Sequence, residues 1–283
     1  RCPEARCRGD VPHHRVRPNR QSRARVGKDL EVPRLCYKEV VADDTIGKDR
    51  LRRLARLDSR KVREELGLQL LAGPRLVAEA PRGGRVSELF LREGAAEEWR
   101  ARAGDVPIHE LAPEDLARLA QVKTPQEVVA VGPLPTWASP EALFQRHDRV
   151  LVLDSVQDPG NVGAVARTAL GLGVGGLLVL PGTADVTAPK VLRASAGALL
   201  RLDLASAPEL PANDHTLVLP VVHGGADVRE ISAPQRFALV LGNEASGTSI
   251  DRAGALRVTI PMTGEVESLN VAAACAVILG RWL

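Results

Sequence analysis

Short apolar runs, each stopped by Gly, Pro, Asn, Asp, Glu or Ser, recur along the last third of the chain and set its predicted architecture. Residues 150–153, 177–180, 217–222, 238–241 and 258–260 have the apolar character of strands covered on both faces. Residues 161–172 and 189–200 read as helices between them, the second entered through Pro189, and a helix of small residues closes the chain at 269–283. The expectation is an α/β unit with a mostly parallel sheet over 149–283.

Upstream, Leu51, Leu54, Leu57, Val62 and Leu66 fall at helical spacing with arginines on the other faces, which predicts a helix pair with a basic exposed side. Such a face is more often simply solvated than functional. Predicted strands at 68–72, 86–91, 107–111 and 128–131 alternate with helices at 74–80, 97–102 and 113–120, so residues 46–132 form a smaller α/β unit. Three prolines within 132–140 predict an extended linker, and 133–148 is assigned to it.

Composition changes this picture in three places. Aromatic residues make up only 2% of the chain, which argues against a platform of rings that stacks nucleic-acid bases. The net charge is +3, but the basic excess is concentrated in residues 1–38, in an arm over 1–45 that suits a polyanion or is a disordered leader. Of the four cysteines, Cys275 lies in an apolar helix and reads as a buried thiol. Cys2, Cys7, His13 and His14 match no standard zinc spacing, so no metal is expected. No apolar run approaches the length of about 20 residues that spans a bilayer. The expected setting is soluble, reducing and cytoplasmic, with no membrane partner.

The segment 171–176 satisfies the G-x-G-x-x-G pattern, yet it follows a predicted helix and precedes a strand. A dinucleotide fingerprint requires the reverse order, so these glycines read as a helix C-cap and turn.

Candidate chemistry lies at three strand ends. Asp158-Pro-Gly-Asn161 makes a tight turn in which Asn161 is placed to cap the next helix, and Arg167 follows within that helix among small neighbours. A guanidinium there either pairs with a carboxylate or reaches back to the helix start. Gly242-Asn-Glu-Ala-Ser-Gly247 puts the carboxylate of Glu244 just after an apolar strand, between glycines over which a nucleoside can lie. The loop from Ile260 to Asn270 leads into the closing helix. Ser268 and Asn270 are both natural caps, and capping accounts for only one of them.

Taken together, these segments resemble the SpoU (TrmH-type) RNA ribose 2′-O-methyltransferases of the SPOUT superfamily. All three motifs of that family are matched in order: Asn161 to Arg167, Leu241-Gly-Asn-Glu244 with Gly247, and Ile260-Pro-Met262 with Glu267-Ser-Leu-Asn270. The stretch from Lys61 to Glu79 is similar to the substrate-binding domain that precedes the catalytic one in many members, although Ala72-Gly73 stands where Glu-Gly is usual. The resemblance implies a deep C-terminal trefoil knot, S-adenosylmethionine as cofactor, and a homodimer whose active sites are shared between subunits. It implies Asn161, Arg167, Glu244, Ser268 and Asn270 as catalytic positions. Leu241, Gly242, Asn243, Ile260, Met262 and Leu269 would line the cofactor. The implied reaction is methyl transfer to a ribose 2′-hydroxyl of RNA, ribosomal RNA before tRNA. A non-catalytic RNA-binding assembly or resistance factor is the rival from another class. Because a guanidinium stays protonated, Arg167 is expected to hold a phosphate and stabilise a developing alkoxide, not to act as a base.

Overall fold

In the computed structural model, residues 46–80, 86–122 and 127–282 are described, and all belong to one compact unit of the chain. The expectations placed on residues 1–45, including Cys2, Cys7, His13 and His14, lie outside the described residues.

The first half builds a four-stranded sheet. Two short helices, α1 (Lys48–Leu54) and α2 (Arg60–Leu66), precede β1 (Leu68–Ala72). Then come α3 (Pro74–Glu79), β2 (Glu88–Arg92), α4 (Ala96–Ala103), β3 (Ile108–Leu111), α5 (Pro113–Ala120) and β4 (Val128–Pro133). Spatial order is β1-β4-β2-β3, with only β2 and β3 parallel. One face of this sheet packs on α1, α2 and α5 through Leu54, Leu57, Leu70, Phe90, Leu116 and Val129.

The proline-rich stretch carries more structure than its composition predicts. Trp137–Ala138 forms a two-residue edge strand, β5, and Ser139 caps α6 (Pro140–Arg146) with its side chain accepting from Ala142 N–H at 3.2 Å. Proline is compatible with both roles, at an edge strand and at the first helical position, so here it punctuates structure without dissolving it.

The second half is an eight-stranded sheet in which every pairing is parallel, as its apolar strands predict. Its elements are β6 (Arg149–Leu153), α7 (Pro159–Gly171), β7 (Gly176–Val179), α8 (Pro189–Ser195), β8 (Asp203–Ser206) and β9 (Thr216–Pro220). They continue with β10 (Ala226–Asp227), β11 (Phe237–Leu241), β12 (Leu256–Thr259) and α9 (Val271–Arg281). The predicted helix at 189–200 is interrupted: Ala196 and Gly197 take positive φ values of 48° and 93°, and a separate 3-10 turn follows at Ala198–Leu200.

Strand alternation divides the interior. Val150, Val152, Leu178, Ala238 and Val240 face α6, whereas Leu151, Leu153, Leu177 and Leu239 face α7, α8 and α9. The second of these cores is continuous with Leu71, Leu89, Leu91 and Val128 from the free face of the smaller sheet. The two sheets therefore share one apolar interior. Arg63 reinforces the junction: it is 1% exposed, donates to Leu57 O and Asp58 O, both at 2.7 Å, and reaches Thr187 Oγ1 at 3.1 Å and the Asp185 carboxylate. Cys275 is fully buried in α9, and burial pushes its thiol up to about 12, as an inert core residue requires. Among the described residues no helix is long and apolar enough to cross a membrane.

Candidate active site

A parallel sheet delivers all its strand C-termini to one edge, and the order β9-β11-β6-β7 makes that edge special between β11 and β6. From β6 the chain crosses to β7 on one side, and from β11 it crosses to β12 on the other. Open α/β sheets bind ligands at such a point of diverging connections.

Loops leaving β6 and β11 are bound to each other there. Asp154, directly after β6 and only 6% exposed, accepts hydrogen bonds at Oδ2 from Thr248 Oγ1 (2.7 Å), Ser249 N–H (2.8 Å) and Ser249 Oγ (3.1 Å). Asn243 donates to Ser155 O at 3.2 Å, while its Oδ1 accepts from the N–H groups of Ala245 (2.9 Å) and Ser246 (3.2 Å). The side chain of Asn243 is thus spent on shaping the loop. Gly242 has a related role: a Cβ there would stand 2.2 Å from the carbonyl carbon of Gly247, so the loop folds back across the space a side chain would fill. Close approach of this loop to itself is what requires the glycine.

Asp158 is the N-cap of α7, accepting from Asn161 N–H at 2.8 Å. This corrects the expectation that Asn161 caps the helix. Asn161 lies within the first helical turn, and because Asp158 serves the backbone, the Asn161 side chain is released for other partners. Its Nδ2 donates to Glu244 Oε1 at 2.8 Å, and its Oδ1 accepts from Asn270 Nδ2 at 2.9 Å. Asn270 is the N-cap of α9, its Oδ1 accepting from Ala272 N–H at 2.9 Å. These contacts fix a direction: the cap orients the amide of Asn270, which orients Asn161, which presents its N–H to Glu244 as an acceptor.

The structure therefore brings together one residue from each strand end: Asn161, Glu244 and Asn270. Arg167 is on the same helix as Asn161, exposed, and has no hydrogen bond or ion pair among the described residues; the carboxylate partner weighed from the sequence is not there. Ser268 is exposed two residues before Asn270, its hydroxyl without a partner among the described residues. Leu241 is buried at the end of β11, Ile260 and Met262 are half-buried, and Leu269 is 37% exposed. Val266, in the same loop, is 55% exposed.

Two contributions escaped the sequence reading. One is the Asp154 clamp, whose signal was present: a carboxylate directly after an apolar strand, as at Glu244. The other is the loop 221–228, fastened beside the third motif. Gly225 N–H donates to Thr259 Oγ1 at 3.0 Å, Thr259 Oγ1 donates to Val221 O at 3.1 Å, and Ala226–Asp227 pairs with Val258–Thr259. No periodicity marks it, because it is a two-residue strand between loops.

The arrangement joins apolar side chains left uncovered at Val266 and Leu269 to a rim of amides, one hydroxyl and one carboxylate. The half-buried Ile260 and Met262 with the uncovered Leu269, beside a few placed polar groups, fit an adenosine-bearing ligand, and the single carboxylate of Glu244 fits a positively charged sulfonium. Among the described residues no cluster of His, Cys, Asp and Glu suited to a metal ion occurs.

Comparison with known proteins gives the family. Residues 148–280 match the SpoU rRNA Methylase family, and residues 48–130 match the MRM3-like substrate binding domain. The chain is 30% identical to the 23S rRNA (guanosine(2553)-2'-O)-methyltransferase RlmP of Bacillus subtilis, over 79% of this chain and 92% of that one. Among solved structures, the SpoU methyltransferase AviRb of Streptomyces viridochromogenes, in complex with the cofactor AdoMet, superposes with a TM-score of 0.70 at 30% identity, covering 82% of this chain and 96% of that one. An RNA 2'-O ribose methyltransferase superposes with a TM-score of 0.68 at 29% identity, covering 83% and 95%.

Proposed function

The chain belongs to the SpoU rRNA methylase family, and on that premise we propose that it transfers a methyl group from S-adenosylmethionine to a ribose 2′-hydroxyl of ribosomal RNA. The observation that carries the reading is the hydrogen-bonded chain Asn270–Asn161–Glu244, which ties the three motif segments into one site. Residues 46–132 act as the substrate-binding part and 149–283 as the catalytic part, a division supported by the match to a substrate-binding domain.

Gly242, Ile260, Met262 and Leu269 would hold the cofactor, with Leu241 and the turn at Asn243 fixing the wall behind them. When bound, S-adenosylmethionine supplies an electrophilic methyl on a sulfonium, which departs as a neutral thioether. A ribose 2′-hydroxyl is a weak nucleophile, so the residues around it must place it and favour its anionic form. Arg167 does this electrostatically: its guanidinium remains charged, holds the neighbouring phosphate and stabilises the alkoxide as it develops, while the 2′-proton passes to solvent. Asn161 and Asn270 keep the Glu244 carboxylate oriented, and Ser268 offers a free hydroxyl to the incoming sugar. Each of these is a preorganised group, so little reorganisation accompanies the reaction.

A homodimer belongs to the same reading. The outer side of α9 shows Ala273, Ala276, Val277 and Gly280 at helical spacing, with Val277 41% exposed, a face that suits a second helix. A C-terminal knot belongs to the same reading of the family. A cytoplasmic location belongs to the same reading.

The test is a transfer assay with purified protein, S-adenosylmethionine carrying a labelled methyl and in-vitro transcribed 23S rRNA, followed by digestion to nucleosides. Label recovered in a 2′-O-methyl nucleoside supports the reading, and label on a base or no label at all rejects it.

A further inference from the structure

We propose that Arg193 is a second anion-binding position beside the reaction centre and takes a backbone phosphate of the substrate RNA. The proposal rests on the reading above that the substrate is RNA. Arg193 stands in the last turn of α8, and its neighbour Ala194 is pressed against α7: a Cβ on Gly163 would lie 2.4 Å from that of Ala194. Gly163 is two residues beyond Asn161. Helical side chains lean toward the N-terminus of their own helix, which directs Arg193 toward the strand-end edge where the site lies.

The guanidinium is half-buried, and its Nη1 is buried without a hydrogen-bond partner. No carboxylate among the described residues pairs with it. Groups nearby in sequence are already committed: Asp185 accepts from Thr187 N–H (2.8 Å), Thr187 Oγ1 (2.7 Å) and Arg63, and Ser195 Oγ donates to Leu192 O at 2.8 Å. Desolvation with no compensating anion pulls the Arg193 pKa below the usual guanidinium range. Arg63 shows how this fold treats a buried guanidinium that only holds structure together. It is surrounded by two carbonyls, a hydroxyl and a carboxylate. Arg193 has no such shell.

A guanidinium keeps its proton, so an orphaned donor of this kind is completed by an anion from outside. Two more cations stand on the same two packed helices. Lys190 is one turn earlier on α8 and Arg167 one turn beyond Gly163 on α7; both are exposed, and neither has a carboxylate partner among the described residues. A strip of three unpaired cations along the α7–α8 crossing matches a run of phosphates, and the fork of Arg193 matches one phosphate in bidentate fashion.

The experiment uses the full chain with Arg193→Met and Arg193→Lys. Binding to in-vitro transcribed 23S rRNA is measured from about 50 to 200 mM salt, alongside S-adenosylmethionine affinity, thermal midpoint and sedimentation. Arg193→Met is expected to weaken RNA binding about tenfold or more and to lower the slope of log K against log salt by about 0.7 to 0.9. Cofactor affinity is expected to stay within twofold, and the thermal midpoint to hold or rise, because an uncompensated buried charge is removed. Arg193→Lys is expected to retain the salt slope with part of the affinity. RNA affinity and slope within experimental error of wild type overturn the proposal, as does a weakened dimer with unchanged RNA binding, which assigns the guanidinium to a partner subunit. Failure of the wild type itself to bind or methylate rRNA rejects the proposed function, and the Arg193 assignment with it.

Discussion

Asn270 and Asn161 are 109 residues apart in sequence, and the side-chain amide of the first donates to that of the second at 2.9 Å. The same Asn270 caps α9. One residue thus couples the start of the last helix to the polar network at the sheet edge, and its two duties are separable by mutation.

Asn270→Asp keeps an acceptor for the helix cap but removes the donor to Asn161. Asp caps as well as Asn, so stability should hold to within about 0.5 kcal/mol, while transfer falls about 10²-fold as Asn161 and Glu244 lose their fixed orientation. Asn270→Ala should lose activity and about 1 kcal/mol together. Melting and single-turnover kinetics on the two variants separate the roles; equal loss of stability in both would leave the network no function beyond the cap.

Arg167→Ala is expected to lower the methyl-transfer rate about 10²-fold or more with cofactor affinity and thermal midpoint nearly unchanged, because Arg167 has no structural partner among the described residues. Calorimetric titration with S-adenosylmethionine beside the rate measurement checks this. A parallel loss of cofactor binding would reassign Arg167 to the architecture of the pocket.

Gly242→Ala inserts a methyl into backbone that cannot retreat, at 2.2 Å from Gly247 and 2.3 Å from Thr248 N. The displaced loop should weaken cofactor binding strongly, at a cost in stability of about 1–3 kcal/mol. Wild-type affinity in a folded Gly242→Ala protein would show that the turn is not part of the cofactor wall.

How much of this was legible beforehand varies with the kind of information. The apolar runs 150–153 and 238–241 announced β6 and β11 because a strand covered on both faces needs no polar alternation. The polar stops announced the site. The division of labour between Asp158 and Asn161 was not legible, since both residue types cap helices and only geometry shows which one does. Gly242 stands where the sequence marks a site for ligand approach, and the structure adds self-packing of the loop as a reason for it. β5, β8 and β10 escaped because two to four residues of mixed polarity carry no period, and they exist only by pairing with strands distant in sequence. Contacts such as Arg63 with Asp185, 122 residues apart, leave no local trace at all.

Acid should act on that junction. Burial alone would raise the Asp185 carboxyl, but hydrogen bonds from Thr187 and the Arg63 guanidinium outweigh it and hold the folded value below the ordinary carboxylate range. A group depressed on folding contributes stability that is fully present above its unfolded pKa, near 4, and is withdrawn as pH falls through the folded value. Denaturant unfolding at pH 7 and pH 3 should therefore show an acid loss that is smaller in Arg63→Met. The same substitution, by stranding Asp185, should cost about 3–5 kcal/mol at pH 7. A neutral Arg63→Met would mean that the shared apolar core alone joins the two sheets.

A ribose-methylating centre formed by residues 161, 244 and 270 with Arg167 must leave its mark on the RNA of living cells. Ribose methylation is mapped across total RNA from cells with the gene, without it, and with only the Arg167→Ala form. A 2′-O-methyl mark in ribosomal RNA is expected to disappear in both mutant backgrounds. A ribosomal methylation map unchanged by deletion, or a lost mark restored by Arg167→Ala, contradicts such a centre.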